Sequence, residues 1–300
     1  MDSPTALRIE GSPLIRFGGF MVLTAHPIAQ FRKNPRFYLM YDGFWFLVCA
    51  AVLLTFWLTG FTPLFSAPAW WFIPVFPVLL FSMIWAHLLI HNATHGSLPK
   101  AINRIAGELL GIFVIVRFAS WDVVHMRHHK YSDDRLKDPH PNFPSFWKTV
   151  FHTIVNVEKQ LFQEYYDVWG DTPENHSRER RRAWMSYGTN VVLLGAWFWL
   201  LGPAFFFLVF LPCNALAGLF VIHFNWSTHN GESAKSIEDM HPVNLPGPMY
   251  KLGNKLFAGI YAHQMHHDRP TLFNPAKALA AAEAASLAGG NAPASHQQAA

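Results

Sequence analysis

The stretch His125-Met126-Arg127-His128-His129 puts three imidazoles on one face of a helix. Positions i, i+3 and i+4 are neighbours on a helix surface. A second copy of the pattern, His263-Gln264-Met265-His266-His267, closes the apolar part of the chain. Two smaller clusters complete the set: His91 and His95 in H-N-A-T-H, and His229 at the end of N-W-S-T-H. All four flank long apolar runs. Nine imidazoles spread over such distances converge only if helices fold back on one another with these ends together.

Composition agrees with that picture. The chain has 300 residues, 51% hydrophobic, 16% aromatic and only 14% charged, whereas globular domains carry about 25% charge. One integral membrane domain fits both length and composition. Four apolar segments are near the ~20 residues a helix needs to cross hydrocarbon: Tyr41 to Phe61, Pro68 to Ile90, Met185 to Leu201 and Pro203 to Phe224. Pro74 and Pro77 are expected to kink the second. Ile105 to Phe118 is apolar but short and carries Glu108 and Arg117, so an interfacial or re-entrant segment is expected.

Lys and Arg set the orientation. The links Thr62 to Ala67 and Gly202-Pro203 carry none, and all 23 lie in the N-terminal arm, the central segment or the region after the fourth span. The expected fold is therefore all-α. Four transmembrane helices form two hairpins, and a histidine-rich helical cap lies with both termini on the cytoplasmic side. Residues 1–40 read as a cytoplasmic arm, 41–275 as the membrane domain, and 276–300 as an Ala-rich, partly disordered tail in which Ala278 to Leu287 is helical. The first apolar run follows a polar, basic lead without a small-residue cleavage site, so no secretory signal is expected. Net charge is +4, with no basic helix and no nucleic-acid-binding module. Cys49 and Cys213 sit in apolar runs, which argues against a disulfide framework.

Nine imidazoles exceed the about four ligands of a zinc site and suit two metals of higher coordination. Imidazole binds iron, copper and zinc, so ligand type alone leaves the metal open. His26, His152, His176 and His296 stand alone and read as interfacial or hydrogen-bonded groups. His87, one turn before His91, and His223, before His229, read as second-tier partners or channel residues rather than ligands. Asn225 shares a face with His229 and is the one candidate beyond the ligands, to hold a metal-bound water or orient a ligand. Asp133, Asp134 and Asp138, the last in D-P-H with His140, are carboxylates of the kind that fix a ligating ring; a solvated acidic turn is the competing reading for the first two. Arg178 to Arg182 reads as an exposed basic patch near headgroups, or a dock for an acidic partner or an anionic substrate head. Trp70, Trp71, Trp197 and Trp199 read as interfacial anchors or lipid-facing surface.

These boxes, in this order around two helical hairpins, resemble the membrane fatty acid desaturase and hydroxylase superfamily. The resemblance covers roughly Tyr41 to Asn274 and rests on H-N-A-T-H, H-M-R-H-H followed by D-P-H, N-W-S-T-H and H-Q-M-H-H. It implies a desaturase-like catalytic domain with a non-haem di-iron site and O2 as co-substrate. The implied ligands are His91, His95, His125, His128, His129, His229, His263, His266 and His267. It also implies a fatty acid or other lipid substrate, and reducing equivalents from a separate ferredoxin, rubredoxin or cytochrome b5 with its reductase, since no such domain is fused here. The first box departs from acyl-CoA desaturases, having three intervening residues where they typically have four. H-N-A-T-H-G-S-L is similar to carotenoid ketolases, and the size and box layout resemble terminal-alkene-forming fatty acid decarboxylases. The preferred expectation is an oxygen-dependent fatty acid desaturase. Decarboxylation, lipid hydroxylation and ketolation use the same boxes and stay open. The alternative outside enzymes is a metal transporter, which would need ligands along a path at the bilayer midplane rather than at one face.

Overall fold

The structure, a computed structural model, describes residues 26–289. The N-terminal arm up to residue 25, His296 and the end of the tail expected to be disordered lie outside the described residues.

The described chain is helical, with one isolated antiparallel bridge between Asn244 and Ala262. The order is α1 (Pro27–Phe31), α2 (Phe37–Thr59), α3 (Phe72–Thr94), α4 (Asn103–Phe113), α5 (Phe118–Tyr131), α6 (Phe146–Trp169) and α7 (Pro173–Leu201). Then come α8 (Pro203–Phe205), a π-helical turn (Phe206–Phe210), α9 (Leu211–Thr228), α10 (Pro248–Leu256), α11 (His263–Asp268) and α12 (Pro275–Gly289). The expected tail helix falls within α12.

Three segments are long and apolar enough to cross a membrane: Phe37–Thr59, Phe72–Thr94 and Pro203–Thr228. A bent pair, Asn103–Phe113 with Phe118–Tyr131, turns through 104° and brings the number to four if it is one broken span. The expected span from Met185 to Leu201 lies in α7, which is not one of these helices. The apolar half of α7 includes Ser186, Gly188, Thr189 and Asn190, and its other half is charged. It nevertheless packs along α2 more extensively than any other helix pair, where the Thr189 hydroxyl donates to the Asp42 carbonyl at 3.0 Å. α3 runs continuously through Pro77, which sits in its second turn. Pro74 lies in the first turn, where a helix N–H has no intrahelical partner to lose.

The link between α2 and α3 touches the turn between α7 and α8. Leu64 N donates to Leu200 O at 3.0 Å and Phe65 N to Leu201 O at 2.9 Å. Gly202 adopts φ +83°, and a Cβ there would meet the Phe65 carbonyl, so the close approach requires glycine. Both apolar pairs thus turn at one end, while His91, His95 and His229 lie at the other ends of α3 and α9. The core between them joins Met83, Ala86, Ile90 and Ala93 of α3 to Val209, Phe210, Cys213 and Ala217. Small residues on both sides let the backbones come close. Both cysteines are free and buried. Trp71 and Trp197 are half-buried against this core, with the Trp197 indole donating to Ile112 O at 3.1 Å. Trp70 remains 80% exposed.

The α4–α5 corner aims the first H-x-x-H-H box. Gly107 lies against the Phe118 ring and Gly111 against the Val116 carbonyl, so neither has room for a side chain. Between the helices Ile115 takes φ +57°, a left-handed conformation costly for a β-branched residue. Arg104 and Glu108 pair on α4, and Tyr41 of α2 donates to Glu108 at 2.6 Å. The corner is thereby tied to α2.

Candidate metal centre

The structure brings all nine histidines of the four clusters together. His91, His95, His125, His129 and His266 form one group, and His128, His229, His263 and His267 a second; within each, one nitrogen per ring lies within 4.8 Å of every other. α3, α5, α9 and α11 supply them. Residues 128 and 129, adjacent on α5, fall in different groups, and so do 266 and 267 on α11. The two boxes therefore bridge the groups.

The Nε2 atoms point at one another. His95 and His125 are 2.8 Å apart, His125 and His129 3.1 Å, and His129 and His266 3.2 Å. In the second group His229 and His263 are 3.1 Å apart, and His263 and His267 3.2 Å. The Nε2 atoms of His91 and His128 are buried with no hydrogen-bond partner. An unpaired buried nitrogen of this kind costs ~1–3 kcal/mol, and a shared metal ion would satisfy it. Burial, followed by the neighbouring rings, holds His263 and His266 well below the ordinary imidazole value and His267 at about 3. These rings are neutral at pH 7, the state in which imidazole ligates. The residues fit a pair of metal ions.

Carboxylates hold two of the rings from behind. His128 Nδ1 lies 2.9 Å from Asp138 Oδ2, and His229 Nδ1 2.6 Å from Asp133 Oδ2. Each Nδ1–H donated in this way leaves the Nε2 lone pair facing the centre. Burial works to raise the Asp133 carboxyl. The facing His229 and hydrogen bonds from Asn142 and Ser132 outweigh it and carry the group below the usual carboxylate range. Burial pushes the Asp138 carboxyl well up, opposed by the backbone N–H groups of His140 and Asp133. Asp134 does not reach the site; it accepts from Leu136 N and Lys137 N in the turn.

Other sequence candidates scatter. His87 lines a cleft beside the centre. His223 is exposed, against Phe146 and Trp226, and belongs to neither group. Asn225 donates to Asn142 Oδ1 at 3.1 Å and lies 3.4 Å from His140 Nδ1, so its observed contact is with this neighbouring network. Arg178 to Arg182 is not one exposed patch. Helical periodicity turns Arg182 inward, fully buried against Glu158 and Glu179, and pairs Arg178 with Glu174; Arg180 and Arg181 face out.

Sequence reasoning gave no role to His140, whose ring packs on His128 at 4.2 Å, or to Trp121, stacked on His125 with an interplanar angle of 8°. Burial lowers His140 to about 4. The i, i+4 spacing of Trp121 and His125 was the available signal for the second.

The fatty acid desaturase family model matches residues 68–275. That is more than half of the chain, and the chain belongs to this family. It is 30% identical over 78 residues to the curated "Probable fatty acid desaturase DES1" of Sorghum bicolor. The match covers 24% of this chain and 20% of that relative, so only about a fifth of the relative's length is spanned. No solved structure matches.

Proposed function

We propose that this member of the fatty acid desaturase family is a membrane-bound, oxygen-dependent non-haem di-iron oxidoreductase that desaturates a fatty acyl chain. The observation that carries the reading is the convergence of nine buried or half-buried histidines into one group of five and one of four. Two irons, when bound, supply oxygen activation and removal of hydrogen from an unactivated carbon. All nine named histidines serve as ligands, residues 41–275 form the catalytic domain, and reducing equivalents come from a separate carrier protein. In the membrane we infer four spans in two hairpins, with both termini and the metal site cytoplasmic. The charge-free links at the opposite end support that orientation.

The chain's own part is positioning. His91, His125 and His263 border a cleft whose other walls include Leu88, Phe220, Phe224 and Ile260. Such walls exclude water and hold a hydrocarbon segment against the ligand rings. Asp138 and Asp133 hold His128 and His229 in one tautomer, so the Nε2 atoms stay available. Replacing Asp133 with asparagine is expected to weaken iron binding by ~10–100-fold while the chain still folds, which a competitive chelator titration would read. Unchanged affinity would remove Asp133 from the site.

Expression with a ferredoxin, its reductase and NADPH tests the function. The expected result is two irons per chain and a new internal double bond by mass spectrometry of total lipid. A 1-alkene, hydroxy acid or ketocarotenoid would replace desaturation with another outcome of the same site. Exchangeable zinc without oxygen consumption would overturn the enzyme reading in favour of metal transport.

A further inference from the structure

Two helices outside the candidate spans expose apolar stripes. α10 has nine residues, and none of them is buried. Met249, Leu252 and Leu256, at i, i+3 and i+7, form one exposed stripe, with Met249 74% exposed. A second side of the helix leans on a single ring, where Tyr250 and Gly253 meet Tyr261. Lys251 and Lys255 lie one turn apart on the third side, both exposed. Among the described residues neither pairs with a carboxylate. A helix this short is marginal in water by itself, so its stripe needs a cover. The start of α6 repeats the pattern: Trp147, Phe151, Ile154 and Val155 share one exposed face, edged by the exposed Lys148. Both helices sit beside the spans. Phe257, the residue after α10, packs on Phe81 of α3 and Phe220 of α9, with ring centroids 5.8 and 5.2 Å apart. Phe146, the first residue of α6, packs on Trp226 of α9 at 5.7 Å. The stripes therefore continue the apolar surface of segments long enough to cross a membrane, near the end of α9 that leads to His229.

Neither helix is itself a candidate span. An apolar stripe flanked by lysines, on a helix of low overall hydrophobicity, suits a helix lying in the plane of a bilayer surface. Lysines at that depth attract anionic headgroups, and Trp147 is of the residue type enriched there. Self-association through either stripe would set its lysines against their own copies, which disfavours a second chain as the cover. We propose that α10 and the first half of α6 lie in the headgroup layer of an anionic lipid leaflet. Their apolar stripes enter the acyl boundary, and Lys251, Lys255 and Lys148 face lipid phosphates. The inference rests on the membrane reading of the chain and is independent of the metal assignment.

Bimane attached to single introduced cysteines tests this in the full-length chain reconstituted in nanodiscs. Cys49 and Cys213 are buried, so the label goes to the introduced thiol. Met249→Cys, Leu252→Cys and Phe151→Cys are compared with Leu54→Cys, on the exposed face of α2, and with Glu174→Cys, at the exposed start of α7. Acyl-brominated lipid is expected to quench the first three labels as it quenches Leu54→Cys, and to leave Glu174→Cys bright. At positions 249 and 252, brominated phosphatidylglycerol is expected to be enriched about fivefold over brominated phosphatidylcholine, the size of one lysine at the surface. Lys251→Gln combined with Lys255→Gln should remove that preference and leave quenching by phosphatidylcholine unchanged. These substitutions fall on exposed side chains, so the fold is kept. Labels at 249 and 252 as bright as Glu174→Cys, or quenched equally by the two headgroups, would overturn the proposal. Labels protected from lipid in a chain of dimeric mass would overturn it in favour of a second copy. Quenching at Leu54→Cys alone fails this inference and keeps the membrane reading, whereas no quenching at Leu54→Cys fails both. An iron-free chain quenched as expected fails the di-iron assignment alone.

Discussion

His128→Ala is expected to lower bound iron from about two per chain to about one or fewer, and product formation by more than about a hundredfold, beyond the range seen for outer-sphere partners. His128 is 1% exposed, belongs to the group of four, and has an unpaired Nε2. Its Nδ1 meets Asp138, a carboxyl that is itself completely buried. Truncation therefore removes a ligand and also leaves a buried acid without its imidazole partner, a loss of ~1–3 kcal/mol or more. His223→Ala is the matched control: the ring is exposed and outside both groups, so iron content should not change. Metal analysis of purified protein alongside a product assay checks both. Retention of two irons and activity by His128→Ala would remove His128 from the ligand set.

Gly111→Ala is expected to cause the larger structural loss. A methyl group at this position would fall on the Val116 backbone carbonyl, which also accepts no rearrangement from a flexible side chain. Overpacking of this kind costs ~1–3 kcal/mol and occasionally more. The strain sits at the corner that aims α5, which carries His125, His128 and His129. Thermal denaturation should show a lower Tm together with reduced iron loading. Gly43→Ala on α2 has nothing within 4 Å of the new methyl and should leave Tm unchanged or slightly raised. A wild-type Tm for Gly111→Ala would mean the corner is not fixed by this contact.

The histidine pattern was readable from sequence because i, i+3 and i+4 spacing is a local geometric fact. Convergence of the four clusters followed from apolar runs too long to end anywhere but on two opposed faces. The membrane reading was carried by mean composition, but Met185 to Leu201 shows its limit: Thr189 and Asn190 dilute an otherwise apolar segment that packs on α2. Arg178 to Arg182 failed for a different reason. A run of arginines looks exposed until its helix is given neighbours, and only tertiary packing shows that Glu158 lies opposite Arg182. His140 was out of reach as well, because its importance lies in a contact with a ring on another segment, whereas Trp121 stands one helical turn before His125 and could have been read from that spacing.

Both histidine groups contain rings from α11, one in the first and two in the second. α11 also comes late in the chain, more than a hundred residues after the first box. During synthesis neither group is complete until this short helix has emerged and docked. A nascent chain holding only the first three clusters presents open, partial ligand sets, and metal capture at full coordination is deferred to the last step of assembly. α11 acts as the clasp of the centre, and a chain truncated before His263 would form most of the membrane scaffold yet keep only four rings of the first group and two of the second.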